Sequence, residues 1–148
     1  MSKPSGSCIG VVVISHGQFA TELLNAAEMI VGDLPAFTAV SIGWHDDVTV
    51  AREAIATAIE KVDRGCGVLL LTDMFGGTPT NLGLSFLAEG RIDVVTGANL
   101  PMLIKLAKIT ETGDLVSVSR EICDHGRAAI RVASDLLRAD TDVSGRQS

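Results

Sequence analysis

Apolar residues run along this chain in two alternating rhythms. Ile9-Gly-Val-Val-Val-Ile14 is an almost unbroken β-branched run bounded by Gly17, the pattern of a strand covered on both faces. Ala20, Leu23, Leu24, Ala27 and Ile30 then recur at helical spacing until Gly32-Asp33 stops them. Phe37 to Ile42 reads as a second strand. Val48, Ala51, Ile55, Ile59 and Val62 predict a second amphipathic helix, with Asp46 or Asp47 as its cap. Gly67-Val-Leu-Leu-Leu-Thr72 is the third strand and the most hydrophobic. A helix from about Pro79 to Ala88 follows, then a fourth strand, Ile92-Asp-Val-Val-Thr96, then a helix from about Pro101 to Thr110. Ile122, Ala129, Ile130, Ala133, Leu136 and Leu137 mark a last helix. No internal repeat is visible. The boundaries that follow are a flexible N-terminus over 1–8, one domain over 9–138, and a polar, disordered tail over 139–148.

Strand–helix alternation predicts a single-domain α/β fold, a doubly wound sheet of four parallel strands flanked by helices. Right-handed crossovers leave few topologies, and a common one for a domain of this size orders the strands 2-1-3-4. Chemistry then collects where strands 1 and 3 end, at the switch point. The chain is most unusual at those two places. Ser15-His16-Gly17 follows strand 1, and Thr72-Asp73-Met74-Phe75-Gly76-Gly77-Thr78-Pro79 follows strand 3.

Composition narrows the classes. The chain has 148 residues, 47% of them hydrophobic, enough for one continuous core. No apolar run reaches the roughly 18 residues of a membrane span, and the Met1–Ser7 leader, with one lysine, does not read as a secretory signal. A net charge of -6 argues against a nucleic-acid footprint, and 3% aromatics with no tyrosine argues against base-stacking platforms. Cys8, Cys66 and Cys123 form no C-x-x-C pair and read as reduced thiols in a cytoplasmic protein. Cys8 and Cys66 both precede strands, at the edge opposite the candidate site; adjacent strands 1 and 3 could bring them close, but a reducing cytosol favours free thiols.

His16 and Asp73 would lie side by side in that strand order. A neutral imidazole is a good nucleophile, with an ordinary pKa of about 6.5. A carboxylate on one ring nitrogen fixes the tautomer, leaves the other nitrogen free to attack, and stabilises the charge that develops. Gly76-Gly77-Thr78-Pro79 adds an anion cradle. Thr78 suits a helix N-cap and Pro79 the first helical position, so unpaired N–H groups and a helix dipole would face the ligand. Two glycines allow close approach of the backbone, and the Gly17 turn opens a second helix N-terminus beside it. Nucleophile, carboxylate and phosphate-sized cradle together point to phosphoryl transfer, which depends on positioning and electrostatics. No G-x-x-x-x-G-K motif is present to bind a nucleotide, and no cofactor is implied. Each part also has a plainer use: a polar strand end for His16, a turn cap for Asp73, simple turns for the glycines. Their convergence favours chemistry.

Val12-Val-Ile-Ser-His-Gly17, Asp73-Met-Phe-Gly-Gly-Thr-Pro-Thr-Asn81 and Gly97-Ala-Asn-Leu-Pro-Met-Leu103 resemble, in order and spacing, the IIA component of the mannose-family sugar phosphotransferase system, over about residues 9 to 125. The resemblance implies that His16 is phosphorylated, that Asp73 is its carboxylate partner and that Thr78 sets a hydroxyl near the phosphate. It implies a phosphotransferase with the phosphocarrier HPr as donor and a IIB domain as acceptor, in a homodimer that often exchanges a C-terminal strand. The C-terminal stretch reads as helical here. Many relatives run on through a linker into a IIB domain; this chain stops, so the expected acceptor is a separate IIB protein, with peripheral association at a membrane transporter.

Other residues carry weaker signals. Asn99 and Pro101 break strand 4 into its helix and border the site by resemblance. Trp44, the only tryptophan, stands in Trp44-His-Asp-Asp47 on the same edge and suits a docking contact, because aromatic anchors concentrate binding energy. His45 beside it reads as an exposed loop residue. Cys123, Asp124 and His125 fit no compact zinc motif, and no metal is expected. Three other functions use the same residues: a regulatory phosphoprotein of the same fold that moves no sugar, a phosphodonor subunit of a dihydroxyacetone kinase, and a metal hydrolase built on His16, His45 and Asp73.

Overall fold

The computed structural model describes residues 8–111 and 113–138; the expected tail over 139–148 and the leader before Cys8 lie outside them. One sheet of four parallel strands has the order β2-β1-β3-β4, with β1 Gly10–His16, β2 Phe37–Ile42, β3 Val68–Thr72 and β4 Ile92–Thr96. Burial follows position in the sheet. The centre strands β1 and β3 are buried along almost their whole length, whereas the edge strands β2 and β4 are only half covered. This matches their composition: VVVI and VLLL at the centre, FTAVSI and IDVVT at the edges.

Successive residues of each central strand feed opposite cores. Val11, Val13, Leu69 and Leu71 pack with α1 (Phe19–Val31), α4 (Leu100–Ile109) and α5 (Leu115–Ala128) on one face. Val12, Ile14, Val68 and Leu70 pack with α2 (Val48–Val62) and α3 (Gly77–Leu84) on the other. Fully burying each such side chain contributes about 1.5–3 kcal/mol. The register sets Ile14 opposite Thr72, so the residues just beyond, His16 on β1 and Asp73 after β3, leave the sheet together.

Four expectations need correction. The last helix starts at Leu115, capped by Asp114, and ends at Ala128; 133–138 forms a separate short helical piece. Its core face is Leu115, Val118, Ser119, Ile122 and Gly126, while Ile130, Leu136 and Leu137 are exposed. Helix α1 likewise buries Ala20, Leu24 and Ala27 but leaves Ile30, in its last turn, in solvent. Helix α3 begins two residues early, at Gly77 with Gly76 as its cap, so Pro79 is its third residue and Thr78 caps nothing. Cys8 and Cys66 are not free thiols: they form a disulfide, with Cα atoms 5.5 Å apart, because β1–β3 pairing brings the residues that precede the two strands alongside each other. Cys8 is also tied down by its amide, which donates to the Thr110 carbonyl at 3.3 Å.

Candidate functional site

His16 is the last residue of β1 and Asp73 the first after β3. Asp73 Oδ2 accepts twice from His16, from the backbone N–H at 2.9 Å and from ring Nδ1 at 2.8 Å. The His16 side chain is 52% exposed and the Asp73 side chain 16%, so the carboxylate sits beneath the ring and the ring faces solvent. An ionised carboxylate can only accept, so it selects the Nδ1–H tautomer and leaves the Nε2 lone pair free. Asp73 Oδ1 is buried with no partner among the described residues. The whole hold on this carboxylate therefore comes from His16.

Gly77 lies against the other side of the ring. A Cβ added there would meet His16 Cε1 at 3.0 Å and Nε2 at 3.1 Å, and its φ of +81° is one that residues with side chains rarely adopt. This residue has to be glycine for the imidazole to stand where it does. The amides of Gly77 and Thr78 open α3 and have no acceptor among the described residues, as the geometry of a helix start dictates. Nucleophilic nitrogen, two free N–H groups and the positive end of α3 thus meet at one point, which suits an incoming anion.

A cleft of about 450 Å³ opens over this point, lined by His16, Gly17, Ile42, Gly43, Trp44, Asp46, Val48 and Thr78. That is many times the roughly 30 Å³ a water molecule occupies in the liquid. Asp46 accepts from the Gly43 amide and shapes the loop that carries Trp44, while Asp47 is the residue that caps α2. Gly17 lines the cleft but does not add an amide to the cradle, because its N–H already donates to the Ile42 carbonyl at 2.8 Å. Asn99 and Pro101 do not line the cleft. Asn99 caps α4, accepting from Met102 N–H, and ties it to α5 by donating to the Gly126 carbonyl at 3.2 Å; Pro101 sits in the first turn of α4. His45 lies outside the cleft lining and His125 on α5. Among the described residues no three His, Cys, Asp or Glu side chains cluster to hold a metal, so a hydrolase on His16, His45 and Asp73 lacks its ligand set.

Sequence reasoning passed over Ser15. Its fully buried hydroxyl accepts from Ala20 N–H at 2.6 Å and stands in for the missing side-chain cap of α1, whose N-cap Gln18 makes none. A serine just before the start of a helical pattern is a readable signal for that role.

A doubly wound sheet thus sets His16, Asp73 and the start of α3 together at its switch point. The chain belongs to a family of sugar phosphotransferase components: the family model described as "PTS system fructose IIA component" matches residues 10–123. It is 30% identical over 130 residues to the fructose-specific EIIA component of Bacillus subtilis, covering 87% of this chain and 89% of that one. It is 34% identical over 105 residues to the mannose-specific EIIAB component of Escherichia coli K12, covering 66% of this chain but 30% of that longer protein. Among solved structures, the PTS IIA protein associated with the fucose utilization operon of Streptococcus pneumoniae superposes with a TM-score of 0.79 at 27% identity, covering 89% of this chain and 98% of that one. Among the described residues, no helix is long and apolar enough to cross a membrane.

Proposed function

We propose that this protein is a cytoplasmic phosphocarrier that accepts a phosphoryl group from phospho-HPr on Nε2 of His16 and passes it to a separate IIB protein. The observation that carries the reading is the ring's position: Nδ1 is bound to Asp73 Oδ2, and Nε2 lies against Gly77, the first residue of α3. In the forward step the Nε2 lone pair bonds to phosphorus as the bond from phosphorus to the donor atom breaks. The ring becomes cationic, Asp73 stabilises that charge through the Nδ1 proton, and the Gly77 and Thr78 amides, with the Thr78 hydroxyl, take the phosphoryl oxygens. Transfer onward reverses these steps and restores the neutral ring.

Trp44, 94% exposed at the cleft, and Phe75, 80% exposed on the turn after Asp73, give partner proteins an apolar rim on which to dock. A homodimer is part of the proposal. Strand β4 ends the sheet, its outer edge bridged at Ile92 by Ala88, and Ile130, Val132 and Leu137 lie exposed on the segment that follows α5. Light scattering at micromolar concentration should give twice 15.4 kDa, and the monomer mass would refute it. Two relatives are named as fructose-specific and mannose-specific and a third for a fucose utilization operon, so the likeness does not choose the sugar, and none is assigned. Their names as sugar phosphotransferase components favour that role over the regulatory and kinase-donor alternatives, which would use the same histidine.

Incubation with phosphoenolpyruvate, enzyme I and HPr, followed by intact-mass spectrometry, should show one acid-labile phosphate. His16→Ala should abolish it, and His45→Ala and His125→Ala should retain it. Label on His16→Ala at the wild-type rate would remove His16 from the mechanism.

A further inference from the structure

Two buried threonine hydroxyls stand behind the site. Thr72 ends β3 and Thr80 lies in the first turns of α3; their relative exposures are 0% and 1%. Their Oγ1 atoms are 2.7 Å apart, and the Thr80 hydroxyl donates to the Met74 carbonyl at 2.5 Å, while Thr72 Oγ1 is 3.4 Å from the same carbonyl. Each hydroxyl has one proton. Thr80 spends its proton on Met74, so Thr72 donates to Thr80, and the chain of bonds runs Thr72 to Thr80 to Met74. The Thr72 carbonyl meanwhile accepts from the Gly97 and Ala98 amides, both at 2.9 Å. Valine has nearly the shape of threonine, and a buried hydroxyl costs free energy unless it is bonded. Two hydroxyls at positions where valine would pack equally well therefore point to a polar task.

The residue between the two anchored neighbours is Asp73. Its own carboxylate is held by nothing but His16, and its second oxygen is bare. Its aim thus depends on the backbone of Thr72 and Met74. We propose that Thr80 is a positioning residue for phosphoryl transfer: through its hydroxyl, backed by Thr72, it fixes the Asp73 turn to α3 and so keeps the carboxylate on Nδ1 while Nε2 faces the α3 amides. This rests on the phosphocarrier reading above.

Thr80→Val removes the hydroxyl and keeps the volume. The Met74 carbonyl loses its donor, the turn relaxes towards water, and the Asp73 carboxylate leaves its place under the ring. The expected result is at least a tenfold slower phosphorylation by phospho-HPr, with a far-ultraviolet circular dichroism spectrum like that of wild type. Nitrogen-15 NMR of the His16 ring should show loss of the pure Nδ1–H tautomer. Thr80→Ser, which restores the hydroxyl, should recover both rate and tautomer. A Thr80→Val rate within twofold of wild type, or a slow Thr80→Val with the wild-type tautomer, overturns the inference. So does a Thr80→Ser variant as slow as Thr80→Val, since packing rather than hydrogen bonding would then be responsible. If wild type takes no phosphate at all, the phosphocarrier reading fails, while the tautomer comparison still decides what Thr80 does to His16.

Discussion

Gly77→Ala tests the site at its tightest contact. The added methyl would fall 3.0 Å from Cε1 and 3.1 Å from Nε2 of His16, closer than carbon and nitrogen normally approach, so the ring must retreat by a few tenths of an ångström. That displacement moves Nδ1 off its 2.8 Å contact with Asp73 Oδ2 and spoils the geometry such a bond needs. Losing a hydrogen bond to a charged partner costs about 1.5–3 kcal/mol, roughly a ten- to hundredfold loss of rate if the bond is needed in the transition state. Alanine at φ +81° also costs about 1–2 kcal/mol of stability. Gly90→Ala separates the two effects, because Gly90 has φ +75°, has nothing within 4 Å of the added methyl, and lies outside the cleft lining. The two variants should melt at similarly lowered temperatures, and only Gly77→Ala should transfer slowly in a quenched-flow assay with phospho-HPr. If Gly77→Ala is no slower than Gly90→Ala, the close packing of glycine on the ring has no bearing on function.

Asp73→Asn keeps the shape but removes the charge and lets an amide N–H face Nδ1; phosphorylation should slow at least tenfold, about 1.4 kcal/mol of barrier, and a stopped-flow rate within twofold of wild type would reduce Asp73 to a turn residue. The Cys8–Cys66 disulfide closes a loop of 58 residues, which on the chain-entropy account is worth ~4 kcal/mol; adding a thiol reductant, or making Cys8→Ser, should lower the melting temperature by on the order of 10 °C, and superimposable melts would contradict the crosslink. Asp114 accepts from the Ser117 backbone N–H and then its hydroxyl, which hold the carboxyl below its ordinary value. A folded pKa that is depressed stabilises the protein above the ordinary carboxylate pKa, and that contribution is lost as pH falls through the folded value; stability measured from pH 6 down to 3 should therefore fall less steeply in Asp114→Ala than in wild type, and parallel curves would deny the cap that role.

Much of the architecture was legible because burial leaves a mark on composition. Unbroken VVVI and VLLL runs belong at the centre of a parallel sheet, and FTAVSI and IDVVT at its edges. Strand order then carried His16 to Asp73, since parallel neighbours in register end together. What escaped depended on contacts that a linear pattern does not encode. The apolar positions Ile122, Ala129, Ile130, Ala133, Leu136 and Leu137 misplace the last helix, because its core face also uses Ser119 and Gly126, and the buried Ser119 hydroxyl bonds back to the Leu115 carbonyl at 2.8 Å. Thr78 looked like a cap because it precedes a proline. The positive φ values of Gly76 and Gly77 start the helix earlier, and no propensity scale foretells that. Strand order also put Cys8 near Cys66, and only the argument from a reducing compartment spoke against the disulfide that the register allows.

Among the described residues, two neighbours crowd the His16 ring. Asp73 takes Nδ1, Gly77 lies against the ring, and the remaining nitrogen looks into a single cleft. If His16 carries the phosphoryl group, donor and acceptor must stand in the same place at different times, and no complex can hold both. Steady-state kinetics with two varied partners should then follow a ping-pong scheme with parallel double-reciprocal plots. Spent donor should inhibit by competing with fresh acceptor. Such a carrier gains nothing from tight binding, because each partner that lingers delays the next, so its traffic is set by how quickly each one leaves.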